Sequence, residues 1–126
     1  MFTLVEANRL LPQLEEHLVA VKQGKAVLIH TKDEIEKASA NANYGGGSFA
    51  GSHYIQALEQ ISEHLQGIQE LGVLVKKLDS GLCDFPCMLE GRIVYLCWKL
   101  GEPEIQWWHE VSAGFAGRQR IESEAF

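Results

Sequence analysis

The sequence predicts an α+β fold: a long antiparallel helical hairpin packed on a small, mainly antiparallel sheet of three or four strands. Three observations predict it. Apolar residues recur at steps of three and four from Leu11 to Ile35 and again from Tyr54 to Ile68. A single glycine-rich stretch separates these two stripes, which is the pattern of two helices folded back on each other. After Gly72 the apolar period changes to two, the period of a half-buried strand. The 126 residues form a single domain on this reading, with the hairpin at about 3–72, a β-meander at about 73–113 and a tail at 114–126.

The first helix starts at a capping box. Thr3 and Glu6 have the spacing at which a threonine hydroxyl accepts the N3 amide, and Phe2 precedes the cap where it can pack on the first turn. Pro12 removes an amide donor, so the spacing predicts a short helix to about Leu10 and a new one from Leu11. The second piece carries its stripe on Leu11, Leu14, Leu18, Val21, Leu28 and Ile35, with Lys25 and Lys32 in the two skipped seam positions. Gly24 is a weak point, costing about 1 kcal/mol relative to alanine. Residues 38–52, with four glycines, two asparagines and three serines, read as a flexible loop. The second helix carries Tyr54, Leu58, Ile61, Leu65 and Ile68 and ends at Gly72, placed as a C′ glycine.

Beyond it, Val73 to Lys76 form a short strand. Phe85–Leu89 and Arg92–Trp98 form a hairpin about the Glu90-Gly91 turn, and Glu104–Val111 forms a third main strand. In the middle strand both sets of alternating residues are apolar, so both faces of the sheet are expected to be covered. The glycine-punctuated tail is expected to fray at its end.

Composition excludes several classes of function. Five basic residues stand against nine acidic in 1–72, and six against eight in 73–126, so neither half offers a basic surface for nucleic acid. No run approaches the 18 apolar residues of a membrane span, and the first residues lack the pattern of a signal peptide. Three cysteines, Cys83, Cys87 and Cys97, without an export signal read as reduced thiols, and the expected location is the cytoplasm.

The runs Leu78-Asp79-Ser80-Gly81-Leu82-Cys83-Asp84-Phe85-Pro86, Gly91 to Glu102, Trp107-Trp108-His109-Glu110 and Gly114-Phe115-Ala116-Gly117-Arg118 are similar to a bacterial family. So is the opening Thr3-Leu4, Glu6-Ala7-Asn8, Leu10-Leu11-Pro12. The family is domain-of-unknown-function family 2203, and the resemblance covers nearly the whole chain. It implies small cytoplasmic proteins with no established activity, for some of which metal binding has been suggested.

The residues themselves offer one candidate site. His109, Glu110 and Glu102, with His53 approaching from the hairpin, are the candidate ligands for a divalent ion such as zinc. Asp84, Cys97 and Arg118 complete the polar cluster. Neighbouring strand residues face opposite ways, so His109 and Glu110 can share an ion only at a bulge or strand end. The competing reading makes His109 a buried, hydrogen-bonded histidine among Ile105, Trp107 and Val111, paired with Asp84 or Glu102. Arg118 then pairs with Asp84, Glu102 or Glu110 to pin the tail. No catalytic constellation stands out: Cys97 has no His or Asp at a motif spacing, and Ser48 and Ser52 have no nucleophile-elbow context. The leading expectation is a non-catalytic module that self-associates. Val19, Val27, Ile29 and Ile55 lie off the stripes, which suggests a homodimer through the helices. The alternative is a small metal-binding protein, and after it a metal-dependent hydrolase.

Overall fold

The computed structural model describes residues 1–40, 47–122 and 126. Two helices, α1 (Leu4–Ala40) and α2 (Gly47–Leu71), precede an antiparallel sheet of five strands. These are β1 (Leu74–Lys77), β2 (Leu82–Leu89), β3 (Arg92–Lys99), β4 (Trp107–Glu110) and β5 (Gln119–Arg120). They lie side by side in chain order, so the α+β class holds and the sheet is one strand larger than expected. The chain forms two compact units, one of Met1–Glu16 with Ile68–Phe126, the other of His17–Gly67.

The N-cap forms as the spacing predicts: Thr3 Oγ1 accepts the Glu6 amide at 3.1 Å. Phe2 goes elsewhere than expected. Its amide donates to the Pro86 carbonyl at 2.7 Å and its ring meets Phe85 edge-on at 5.4 Å. Pro12 does not divide the helix, and α1 runs unbroken through it. Only the hydrogen bond to the Asn8 carbonyl is lost at that point. The Asn8 side chain holds the loop before β4 instead, accepting the Ile105 amide at 2.8 Å.

In the unit His17–Gly67 the helices run antiparallel: His17 meets His64, Ala20 meets Gln60 and Gly24 meets Ile61. The seam differs from the predicted stripe. Gly24 and Thr31 are buried where Lys25 and Lys32 were expected, and both lysines are exposed. The substitution avoids burying two ammonium groups, because Gly24 lets α2 approach closely and the Thr31 hydroxyl is satisfied by the Val27 carbonyl at 2.8 Å. On α2, Ala57 and His64 take seam positions, while Leu58 and Leu65 face solvent. The two imidazoles share one hydrogen between Nδ1 atoms 2.9 Å apart. Of the predicted loop over 38–52, residues 38–40 and 47–52 are helical, and 41–46 lie outside the described residues. α2 ends at Leu71, followed by Gly72 at φ 85°, the C′ glycine as predicted.

In the sheet unit, Glu90 and Gly91 both have positive φ (50° and 82°), a type I′ turn that pairs Leu89 with Arg92 and every residue back to Leu82 with Lys99. One face, with Phe85, Val94, Leu96 and Trp98, is buried core. The other is covered only in part, with Cys97 buried, Tyr95 half-buried and Ile93 exposed. The expected third strand shortens to β4, because a residue before it serves another bond: the Ile105 amide donates to Asn8 Oδ1. The tail is tied down ahead of its last few residues, the ones expected to fray, and again at Phe126. After a 3₁₀ turn at Phe115–Gly117, β5 pairs with β4, and the Phe126 carbonyl accepts the Leu4 amide. Within that expected fraying, residues 123–125 lie outside the described residues.

A Cβ on Gly24 would sit 2.8 Å from Ile61 Cγ1, whereas one on Gly51 would meet nothing within 4 Å. Gly24→Ala gains about 1 kcal/mol of helix propensity but overpacks the seam at about 1–3 kcal/mol, and is expected to lower the melting temperature. Gly51→Ala, with the gain alone, is expected to raise it. Thermal unfolding of the two variants checks the contrast.

Candidate metal centre

Three adjacent strands bring the candidate side chains together. Asp84 on β2 lies directly opposite Cys97 on β3, and His109 on β4 lies opposite Tyr95. Paired residues share a sheet face, so all three point to the partly covered side. His109 reaches diagonally over β3 to place Nε2 3.0 Å from Asp84 Oδ1. The ligand atoms of Asp84, Cys97 and His109 all lie within 4.8 Å of one another, and each residue is buried. They line a cavity of about 330 Å³.

The hydrogen bonds fix the imidazole. Nδ1 lies 2.7 Å from the Glu110 carbonyl, which can only accept, so Nδ1 carries a hydrogen and Nε2 is aimed at Asp84. A second hydrogen lies between Nε2 and Oδ1. Both ring nitrogens are engaged and neither with Cys97, so the trio is not a cysteine nucleophile facing a histidine base. A backbone carbonyl holding the far nitrogen is, however, the arrangement that orients a metal-ligating histidine.

The thiols are governed by burial. Desolvation pushes Cys97 above its ordinary value, more strongly than the hydrogen bond from Arg118 (3.9 Å to Sγ) pulls it down. Cys83, on the opposite face, is pushed from 9.0 up to about 12, first by burial and then by the neighbouring Asp84 and Cys97.

The two predicted glutamate ligands are engaged elsewhere. The Glu110 carboxylate lies on the opposite face, where Arg92 Nη2 reaches it at 2.7 Å and holds it below the usual carboxylate range. Glu110 therefore touches the site only through its carbonyl. Glu102 accepts Arg118 Nη2 at 3.1 Å and the Lys99 amide at 2.7 Å. Arg118 is stacked between Trp107 and Phe115, 4.7 and 4.5 Å from the ring centroids, so it pins the tail through Glu102. His53 is an exposed residue of α2 in the other unit. Asp84, one of the two partners the competing reading gives His109, is the one it meets, and Cys97 of the wider polar cluster joins them. The signal was available: Asp84 is five residues before Leu89 and Cys97 five after Arg92, so a two-residue turn at Glu90-Gly91 pairs them. A larger cavity of about 440 Å³ near Trp98 has only glutamates as charged lining (Glu15, Glu102, Glu104) and holds no comparable donor set.

A thiol whose folded value is raised contributes stability that is complete below its unfolded value and lost as pH climbs through its folded one. Stability is therefore expected to fall between about pH 9 and about pH 12 through Cys83. Cys83→Ala is expected to flatten that decline. Denaturant unfolding of both chains across this range checks it, and equal slopes would contradict it.

No curated protein and no solved structure matches the chain. No helix among the described residues is long and apolar enough to cross a membrane. A family model described as an uncharacterized conserved protein matches residues 1–121, over every element that builds this centre, and the chain belongs to that family, domain-of-unknown-function family 2203.

Proposed function

We propose that the protein binds a divalent metal ion through Asp84, Cys97 and His109. One observation carries the reading: three buried donors of different chemistry converge within 4.8 Å on one wall of a cavity. Tetrahedral zinc with nitrogen, oxygen and sulfur ligands needs donors about 3.3–3.6 Å apart, a small adjustment from this geometry. The second carboxylate or histidine sought from Glu110, Glu102 and His53 is not required, since the fourth position faces the cavity. The ion would replace the hydrogen between Nε2 and Oδ1 and the hydrogen of the thiol, so its binding releases up to about two protons.

Cobalt(II) titration tests this. A thiolate-to-cobalt absorption band is expected in the natural chain, absent in Cys97→Ser and lost with His109→Ala, while Glu102→Gln and Glu110→Gln keep it. Chelator is expected to lower the melting temperature of the metal-loaded chain, because an ion bound to the native state alone adds to its stability. A melting curve indifferent to chelator, with the same cobalt spectrum in His109→Ala, would overturn the reading.

Self-association is a second reading, favoured by the exposed apolar side chains of the helical unit. Ile55, Leu58 and Leu65 fall on one face of α2 and are 56%, 44% and 38% exposed, with Val19, Val27 and Ile29 exposed on α1. A homodimer would cover such a stripe. Light scattering at tens of micromolar is expected to give a dimer, and Leu58→Glu with Leu65→Glu a monomer. A monomeric natural chain would remove this reading.

A further inference from the structure

The cavity beside Asp84, Cys97 and His109 continues into a second one of about 210 Å³, and the two share Lys77, Leu82 and Phe115. Lys76 lines the first and Lys99 the second. Three lysines therefore edge one cleft in a chain of net charge −6. Among the described residues none of the three forms an ion pair. Lys76 has instead its ammonium group 5.4 Å from the Tyr95 ring centroid. The one carboxylate lining either cavity is Asp84, already hydrogen-bonded to His109. Leu82, Val111 and Phe115 supply an apolar wall.

Ammonium groups lining one cleft, with no carboxylate paired to them, set up a positive local potential that favours an anion. Lysine binds as a mobile point charge, so the head group is defined by charge more than by shape. The small volume limits the body of the ligand. We infer that this cleft binds a small organic anion, its carboxylate or phosphate head held by Lys76, Lys77 and Lys99 and its apolar body against Leu82, Val111 and Phe115. The inference goes beyond the metal reading and does not depend on it, because the lysines and the apolar wall are there with or without an ion.

The test is a nuclear magnetic resonance titration of the full chain, freed of metal by chelator, with four probes of similar size. Benzoate and phenyl phosphate carry the anionic heads; benzyl alcohol is neutral and benzylamine cationic. At up to about 10 mM, saturable shifts are expected with the anions at the amides of β1, Leu82, Lys99 and Phe115, and none with the other two probes. A response to one anion only supports the inference and selects the head group. Lys77→Ala is expected to weaken binding about fivefold, and added salt to weaken it further, while Lys22→Ala changes nothing. Amide dispersion shows that each variant is folded. Equal binding of benzyl alcohol, no saturable shift with either anion, or an unchanged affinity in Lys77→Ala would each overturn the inference. Cobalt spectra decide the metal reading on a separate sample, so either can fail alone.

Discussion

The two-residue turn at Glu90-Gly91 sets the register on which the sheet unit depends. A I′ turn has a backbone twist that matches the strands it joins, and it leaves no residue to spare. Every pair from Leu89–Arg92 to Leu82–Lys99 follows from it. A slip by one residue would exchange the two faces of β2, sending Phe85 and Cys83 outward and Asp84 into the core. The left-handed conformation of Glu90 costs about 1–2 kcal/mol, a modest charge for a constraint that assigns eight side chains on each strand to a face.

Burying an acid, a base and a thiol on one face of the sheet is costly. A carboxylate removed from water without a partner is penalised by several kcal/mol. Asp84 and His109 offset this together, each with about 3% of its side chain exposed, because one shared hydrogen satisfies both. The Glu110 carbonyl completes the imidazole. Among the described residues no buried side-chain nitrogen or oxygen lacks a partner. The polar groups are thus positioned by fixed backbone and strand register, with little freedom left to them. Charges that can remain in water, on Glu110 and Arg92, stay on the opposite face.

Much of this was legible in the sequence, and the failures have identifiable causes. Helix positions, the Gly72 stop and the central hairpin follow from periodicity and turn chemistry, which are local. The seam of the helical unit does not. Hydrophobicity favours Leu58 and Leu65, but the partner helix selects Ala57 and His64, because Gly24 admits close contact and His17 supplies a hydrogen-bond partner. The missing donor of Pro12 and its clash with the preceding turn argue for a break, whereas α1 runs through it with Leu11 and Leu14 buried on either side. His109 was recognised as a key residue. Asp84 is among the partners the sequence offers for it, but choosing Asp84 over Glu102 and adding Cys97 needs the register of β3 against β4, which depends on the path of residues 100–106 and is not a local property.

The sheet is contiguous in the chain, each strand beside the next, but its unit also contains Met1–Glu16, separated from it by the whole of His17–Gly67. During synthesis Phe2 leaves the ribosome well before Phe85, the ring it finally packs against. At about 5–20 residues per second the interval is roughly 4 to 17 s. For that time the Phe2 ring lacks the aromatic partner it has in the folded unit. Residues 1–16 are thus made well before the strands of their own unit.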